Sequence, residues 1–475
     1  MISVLMLLGI WPGSLTLGAE IELPELGDTS SGIVSQATER QIGEDLLKQI
    51  RAQLPTVNDP ILKYYTEINL YHLAEFSRVN EAVLYPVLID SPQINAFAAP
   101  GGVVGINLGL YLYARDVNEF DSVLAHELAH LSQRHFARGI EQQRQQTLPY
   151  MASMLGAILI AATAGGDAGL AAVSSAQALV QGNQLRYSRS REAEADRIGI
   201  DTMARAGLDP RASGRMFERM QRAYQFARRP PEFLLTHPVT ESRIADARNQ
   251  SAKYPDRAYP DSPEYQMMRA RAEVHYAPTA AQAVSLFRGR LERKENPDIA
   301  RYGLAVALSR ARKGAEAVDT MRLLYLAHPN SIILTASYAD ILLHQGRHAD
   351  AITLLSQGLA INPDNAPYSM LLAAALAKDE QYQKAEAILK RQSVLHPNDQ
   401  DVWYQLAELS GLAGDIVEVH QARAEFFALV GNYRNAIKHL EYARGLVNKD
   451  DFQLTAKLDQ RILDFRDQLQ ERSRS

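Results

Sequence analysis

Apolar residues recur at the spacing of an amphipathic helix over residues 36–80, which predicts a helical start to the folded chain. Residues 83–89 are rich in residues that favour strands, and residues 94–110 contain a Gly-Gly pair between two apolar runs. This arrangement predicts a strand followed by a β-hairpin. A further helix is predicted from Asn118, as its N-cap, to about Arg138.

Residues 1–19 form an apolar segment that ends in the small residues Gly18 and Ala19. The pattern predicts a secretory signal peptide, although the basic residues that usually precede the apolar run are missing here. A buried N-terminal helix is the alternative, but the polar stretch after Glu20 contains Pro and Gly and disfavours it. We therefore expect an exported protein.

A 34-residue period runs through the C-terminal part of the chain. Proline and alanine recur at this interval at Pro329, Pro363 and Pro397, and at Ala317, Ala351 and Ala385. This pattern resembles tetratricopeptide repeats, which stack helix pairs into a solenoid. The resemblance covers about Asp298 to Leu446 and degenerates near Asp415. Such arrays usually bind a peptide or protein on their concave surface, and a pure scaffold is the alternative.

Length and composition indicate two or three globular domains. The chain has 475 residues, of which 46% are hydrophobic and 22% are charged. A stretch rich in Pro, Asp and Tyr at Tyr254–Pro263 separates the mixed helix and strand pattern of the N-terminal part from the 34-residue period of the C-terminal part. We predict an α+β, mostly α fold with an N-terminal domain over residues 20–262. An α-solenoid of tetratricopeptide repeats follows over residues 263–475.

Charge and cysteine content exclude several classes of function. The net charge is -5 with both signs interspersed, so nothing indicates nucleic-acid binding. The chain contains no cysteine, which excludes disulfides, a cysteine nucleophile and thiolate metal sites. Any bound metal ion must therefore be held by nitrogen and oxygen.

The segment His126-Glu-Leu-Ala-His130 carries the clearest chemistry in the sequence. On a helix, residues four apart project from one face, so both imidazoles can hold one metal ion. Glu127 lies to the side, where its carboxylate can deprotonate a water molecule at the metal. This H-E-x-x-H pattern is typical of zinc peptidases, which need a third protein ligand.

The segment Arg191-Glu-Ala-Glu-Ala-Asp196 supplies the best candidate for that ligand. Glu192 and Asp196 share one face of a predicted helix, whereas Glu194 should point away. One carboxylate can bind the metal while its neighbour accepts the free N–H of a ligand histidine. A solvated acidic face is the alternative.

A ligand later on the first helix is less well supported. Metzincins place a histidine ten residues after the first one and a glycine between, but those positions hold Phe136 and Gln133. His135 would be turned by about 140° from His130 on a continuous helix. We interpret His135 as a histidine behind the ligands or on the surface.

The H-E-x-x-H motif, the later E-x-x-A-D motif and the segments Thr236-His-Pro238 and Arg243-Ile244 together resemble the M48 family of zinc metallopeptidases. The resemblance implies a gluzincin-type fold with one Zn²⁺ per chain. Carried over by motif, it implies zinc ligands His126, His130 and Glu192, a catalytic base Glu127, and a partner of a ligand histidine, Asp196.

His237 precedes Pro238 and therefore lies on extended or turn backbone, outside a helix interior. It is a candidate for stabilising the oxyanion during hydrolysis, as is Arg243. His237 is alternatively a fourth metal ligand, which would make the enzyme latent. A structural role is the third interpretation.

The export signal and the repeats narrow the resemblance to periplasmic M48 peptidases of Gram-negative bacteria. It implies an endopeptidase in quality control and assembly of outer-membrane β-barrel proteins, with unfolded or stalled clients and repeats that dock on the barrel assembly machinery. The alternative is a chaperone or adaptor with a normally latent peptidase site. We expect the substrate to add as a strand along residues 95–99.

A second apolar segment, residues 145–185, contains a single charged side chain, Asp167. Each of its two arms is shorter than the roughly 20 residues that span a bilayer. We expect a hairpin packed on the peptidase domain. A hairpin at the membrane surface, making peripheral contact, or over the active site is the alternative.

Overall fold

The computed structural model describes residues 34–80, 83–142, 189–225, 232–448 and 450–474. The predicted signal peptide and the apolar hairpin predicted over residues 145–185 lie outside the described residues, so both stay predictions. Within the described residues the chain is α+β and mostly helical, which confirms the predicted fold class.

The N-terminal part combines a small sheet with helices on its two sides. In chain order its elements are α1 (Gln36–Gln53), α2 (Pro60–Phe76), β1 (Tyr85–Ile89), β2 (Ala96–Ala99), β3 (Val103–Asn107), α3 (Gly109–Tyr113), α4 (Val117–Ser132), α5 (His135–Gln142), α6 (Arg189–Arg205), α7 (Ala212–Gln225), α8 (Glu232–Thr236) and α9 (Glu241–Ser251).

The three strands form one sheet in the order β1-β3-β2, with β1 parallel and β2 antiparallel to β3. The predicted hairpin is therefore present as β2 and β3. Its turn uses Gly101 and Gly102 at φ values of 71° and 79°, where a side chain would be strained. Strand β2 lies at the edge of the sheet and packs beside α4.

The segment predicted to be helical over residues 36–80 forms two helices, α1 and α2, each shorter than the segment. Pro55 follows the end of α1, and Pro60 occupies the first turn of α2. Asp59 is the N-cap of α2, and its carboxylate accepts hydrogen bonds from the backbone of Ile61 and Leu62. A proline is well tolerated at this first position but not inside a helix.

The helix predicted from Asn118 to Arg138 is also shorter than expected. Its N-cap is Asp116, whose carboxylate accepts from the N–H of Glu119 at 2.9 Å. Asn118 lies inside the first turn, where its side chain instead accepts from the N–H of Asp209. The helix ends at Ser132, and α5 begins three residues later.

The C-terminal part is a series of antiparallel helix pairs. Its helices are α10 (Pro263–Tyr276), α11 (Ala280–Glu292), α12 (Pro297–Arg310), α13 (Gly314–Ala327), α14 (Ile332–His344), α15 (His348–Ile361), α16 (Ala366–Lys378), α17 (Tyr382–Leu395), α18 (Gln400–Ala413), α19 (Ile416–Leu429), α20 (Tyr433–Leu446) and α21 (Phe452–Arg474). The repeating alanines Ala317, Ala351 and Ala385 are fully buried between neighbouring helices, where a small side chain allows close approach.

The helix pairs pack against α2 of the N-terminal part. Lys63 on α2 pairs with Asp399 and Asp401, at 2.7 and 2.9 Å, at the start of α18. One buried apolar cluster extends from Val57 to Ala422 and includes residues of α2, α4, α10, α14 and α16. The two parts therefore share a core, and the boundary predicted at residues 262 and 263 stays a prediction.

Candidate metal centre

Helix α4 presents the first residues of the candidate centre. Every residue from Val117 to His130 is buried, as expected for a helix at the centre of a domain. His126 and His130 lie one turn apart on the same face, and their Nε2 atoms are 3.0 Å from each other. The short spacing of the H-E-x-x-H motif thus brings two metal-binding nitrogens together in the protein interior.

Glu192 on α6 and His237 after α8 complete a group of four. The carboxylate oxygens of Glu192 lie 3.4 Å from His130 Nε2 and 3.5 Å from His126 Nε2. His237 Nδ1 lies 3.4 Å from His126 Nε2 and 3.1 Å from Glu192 Oε1. All four side chains are buried, and their candidate ligand atoms lie within 4.8 Å of one another.

This donor set fits a divalent cation. Ligand atoms held tetrahedrally at 2.0–2.1 Å from zinc are about 3.3 Å from one another. The separations among His126, His130 and Glu192, 3.0 to 3.5 Å, have that spacing. Imidazole nitrogens and a carboxylate oxygen are also the donors expected in a chain without cysteine.

Asp196 and Arg243 form a charged layer behind His126. Asp196 Oδ1 lies 2.9 Å from His126 Nδ1, the ring nitrogen that faces away from the group of four. Arg243 donates to both oxygens of Asp196 at 2.8 Å and lies 2.9 Å from Glu192 Oε2. The guanidinium is therefore engaged with two buried carboxylates, which is a different position from the oxyanion contact considered for it from the sequence.

Burial and neighbouring charges shift the pKa values of these groups in opposite directions. Burial opposes the charged form of His126, but the carboxylates of Asp196 and Glu192 outweigh it and raise its pKa to about 10. Burial lowers the pKa of His130 well below its usual value. Burial would raise the pKa of Glu192, but the neighbouring histidines hold it well below its usual range. A carboxylate charge is thus stabilised where a cation would bind.

Glu127 lies between the group of four and the edge strand. Its Oε2 accepts a hydrogen bond from the backbone N–H of Ala98 on β2 at 3.0 Å, and its Oε1 lies 3.7 Å from His237 Nε2. Burial raises the pKa of Glu127 above its usual value. A carboxylate with a raised pKa is suited to accepting and returning a proton near neutral pH.

His135 and Glu194 lie behind His130. The sequence indicated this position as one of two for His135, but it did not indicate the contact with Glu194. His135 Nδ1 is 2.9 Å from His130 Nδ1, and His135 Nε2 is 3.0 Å from Glu194 Oε2. The 140° separation expected on a continuous helix does not apply, because α4 ends at Ser132 and Arg134 adopts a φ of 48°. No glycine or proline marks this turn, so it could not be predicted from the sequence.

Two family models match the chain. The model of peptidase family M48 matches residues 68–251, and a tetratricopeptide-repeat model matches residues 342–409. The first range contains all residues of the candidate metal centre described above. The second range lies within the predicted repeats.

Curated relatives cover nearly the whole chain. It is 32% identical over 455 residues to the beta-barrel assembly-enhancing protease of Escherichia coli, a match that covers 95% of this chain and 92% of the relative. This chain belongs to the beta-barrel assembly-enhancing protease family of M48 peptidases. The family member of Yersinia pestis is 31% identical over 487 residues, with 100% of this chain and 99% of the relative covered.

A more distant relative shares the peptidase part. The mitochondrial metalloendopeptidase OMA1 of Bos taurus is 33% identical over 167 residues, which covers 33% of this chain and 30% of that protein. Membership in the family confirms the predictions of a metallopeptidase and of tetratricopeptide repeats. In the parts of the chain that the structure describes, no helix is both long enough and apolar enough to cross a membrane.

Proposed function

We propose that the protein is a zinc-dependent endopeptidase in which His126, His130 and Glu192 hold the metal ion. The observation that supports this most strongly is the convergence of three buried donors around one point, with Glu127 directly beside them. A catalytic zinc site uses three protein ligands and leaves a fourth position for water or substrate. When bound, the ion lowers the pKa of that water and polarises the scissile carbonyl.

The protein side chains would move the proton. Glu127 accepts a proton from the attacking water and returns it to the amine that leaves when the peptide bond breaks. Asp196 would hold His126 with its Nδ1 proton facing away from the metal, and Arg243 keeps Asp196 charged and in place. Burial of all these groups excludes bulk water and strengthens their electrostatic interactions.

The substrate is proposed to add as a strand along β2. The outer edge of β1 is already covered, because Leu88 O accepts from Val57 N and Pro86 has no N–H to offer. Strand β2 lies at the other edge, and the N–H of Ala98 faces away from β3 towards Glu127. A peptide paired with this edge would bring its carbonyl next to the proposed base.

The proposed clients are unfolded or stalled outer-membrane β-barrel proteins in the periplasm of a Gram-negative bacterium. The names of the relatives from Escherichia coli and Yersinia pestis, both beta-barrel assembly-enhancing proteases, support this assignment. The apolar segment that ends at Ala19 supports export. The barrel assembly machinery is the partner proposed for the repeats.

The partner is proposed to bind at the C-terminal end of the helix pairs. Helix α2 packs on α14 and α16 and therefore takes up part of the surface that the repeats would offer. A cavity of about 810 Å³ lies beyond it, between α1 and α17–α21. Its wall includes Trp403, Arg51, Lys390 and Glu425, so an extended segment with both apolar and charged residues would fit it.

The position of His237 favours a second candidate function, an adaptor or chaperone whose peptidase site is normally latent. Its Nδ1 lies in the group of proposed ligands, where it would occupy the fourth position. A His237→Ala variant separates the interpretations by its zinc-dependent peptidase rate. A higher rate supports latency, a lower rate supports stabilisation of the oxyanion, and an unchanged rate leaves a structural role.

The function is tested by cleavage of an unfolded outer-membrane β-barrel protein. Glu127→Gln should keep one zinc ion per chain but lose about 10²- to 10⁴-fold in rate, because the base is removed. His126→Ala should lose the zinc itself. Glu295→Gln, at an exposed glutamate of the α11–α12 loop, is the matched control and should cleave at the wild-type rate. Persistent cleavage in Glu127→Gln would show that the proposed mechanism is wrong.

A further inference from the structure

The two histidines of α4 are supported in different ways. His126 has a carboxylate directly behind it, because Asp196 Oδ1 lies 2.9 Å from its Nδ1. Behind His130 lies a second imidazole, with His135 Nδ1 at 2.9 Å from His130 Nδ1. A carboxylate follows one step further out, since Glu194 Oε2 lies 3.0 Å from His135 Nε2.

These distances define a single chain of hydrogen bonds when His130 uses Nε2 towards the metal. A neutral imidazole carries one proton, so the proton of His130 must then be on Nδ1. His130 would donate this proton to His135 Nδ1, which leaves the proton of His135 on Nε2. That N–H points at the carboxylate of Glu194, which accepts it. Each N–H in this series of hydrogen bonds therefore has an acceptor.

We propose that His135 is a positioning residue that fixes the tautomer and ring orientation of His130 for metal binding, with Glu194 as the terminal acceptor. The inference rests on the proposed function, since it concerns the same metal centre. It assigns a role in metal affinity to two side chains that lie outside the group of four.

The local backbone supports this role. His135 is fully buried although it is polar, and burial of a polar group is costly unless it forms hydrogen bonds. The turn that brings it back to His130 depends on the left-handed conformation of Arg134, which is rare outside glycine. Arg134 is held there by Glu39 at 2.7 Å and by the carbonyl of Val34 at 2.9 Å.

The backbone of His135 is fixed from a second direction. Arg191, next to the proposed ligand Glu192 on α6, donates from its Nη1 to the carbonyl of His135 at 3.1 Å. Glu194, the last group in this series of hydrogen bonds, is also held in place, because Arg138 Nη1 lies 3.2 Å from its Oε2. Helix α6 carries Glu192 and Glu194, and its Arg191 holds the backbone of His135. It therefore positions both side chains that lie behind His130.

The test measures zinc affinity by competition with a chromogenic chelator, together with the unfolding free energy of the metal-free protein. His135→Phe removes the acceptor, so zinc affinity should fall by about 10- to 100-fold, the range found for partners of metal-bound histidines. His135→Asn places an amide oxygen near the position of Nδ1 and should restore affinity to within a few-fold of wild type. His328→Phe, at an exposed histidine of the repeats, is the matched control.

The two amide variants His135→Asn and His135→Gln cover the case in which the phenylalanine variant does not fold. The amide of Gln reaches the position of Nε2 instead, so this variant should bind zinc more weakly than His135→Asn. Equal affinity in both variants, or wild-type affinity in His135→Phe, would overturn the proposed role. A wild-type protein that binds no zinc would instead refute the zinc site of the proposed function, and the two failures are thus distinguished.

Discussion

At the scale of single residues, the spacing of α4 and α6 depends on Gly199. A Cβ added to Gly199 would lie 3.1 Å from His126 N and 3.2 Å from Ala125 C, both backbone atoms that cannot rotate away. Gly199→Ala should therefore push the two helices apart, lower the unfolding free energy by about 1–3 kcal/mol and weaken zinc binding. Denaturant unfolding and chelator competition measure the two effects.

Gly445 provides the matched control for this substitution. It lies in helix α20, and a Cβ there would meet nothing within 4 Å. Gly445→Ala should leave zinc affinity unchanged and raise stability by up to about 1 kcal/mol, because alanine is the better helix former. If Gly199→Ala binds zinc as tightly as wild type, contact between the helices does not control the separation of the ligands.

The sequence could predict the residues of the metal centre where local spacing decides the geometry. His126 and His130 share a helical face, as do Glu192 and Asp196, so their side-chain directions follow from helical periodicity. His237 was a candidate for the same site, but its contacts there could not be predicted, because they depend on how the chain after α8 packs against α4.

At the scale of elements, Arg271 links three helices. It lies on α10 and contacts Asp59 before α2 and, at 2.8 Å, Asp340 on α14. Arg271→Met would leave Asp59 without its cation and Asp340 with only His344, and it should lower the unfolding free energy by about 3 kcal/mol. Asp340→Asn added to this variant should recover part of the loss, as measured by a double-mutant cycle.

Arg293→Met is the control for the Arg271 prediction. Arg293 pairs with Glu295 on the surface, where both side chains are more than half exposed to solvent. Exposed ion pairs contribute little to stability, so no measurable change is expected. A loss in Arg271→Met no larger than in this control would show that α10 is held by its apolar contacts alone.

His344, which pairs with Asp340 on the same helix α14, makes the stability of that helix depend on pH. A hydrogen bond with Asp340, opposed by burial and by the charge of Arg271, raises the pKa of His344 to about 9. Its pKa in the unfolded chain is about 6.5, so its stabilising effect is complete below about pH 6.5 and disappears as the pH rises through about 9.

The His344→Gln variant tests this dependence through the unfolding free energy at several pH values. Wild type should be more stable than the variant at about pH 6, and the difference should shrink towards about pH 10. A difference that does not change with pH would contradict the assignment. Asp340→Asn is a useful companion variant, because it should remove most of the pH dependence while leaving His344 in place.

Element bounds could be predicted from the sequence where capping or turn residues mark them. Asp59 and Pro60 are such a signal, and they mark the start of α2 within the helical segment predicted over residues 36–80. The end of α4 at Ser132 could not be predicted, because it depends on a left-handed backbone at Arg134, and arginine is not a residue type that marks such turns. It is stabilised by Glu39, almost 100 residues earlier in the chain, which local patterns do not reveal.

At the scale of the whole molecule, one buried apolar cluster contains residues from both sides of the boundary predicted at residues 262 and 263. Tyr265 at the start of α10 stacks on Tyr111 at a ring-centroid distance of 5.7 Å and donates to the carbonyl of Ala114. A separate cluster lies at the end of the chain, where Tyr433 and Phe465 pack together. The 34-residue period predicted the helix pairs, but not their packing against α2.

The division into two apolar clusters predicts the order in which parts of the structure unfold. In native-state hydrogen exchange with increasing denaturant, α2 and the repeat helices α14 and α16 should lose protection together, because they belong to one cluster. Helices α20 and α21 should lose protection at a lower concentration, since they belong to the separate C-terminal cluster.

The link between the two parts can be weakened on purpose to test this prediction. Lys63→Met removes the cation that Asp399 and Asp401 share, at a contact that joins α2 to α18. In this variant the repeat helices α14 and α16 should open at a lower denaturant concentration than α4, whereas in wild type these three helices open together. If α2 and the repeats already open separately in wild type, the boundary predicted from the sequence also divides the folding units. The peptidase part would then be stable without the helix pairs.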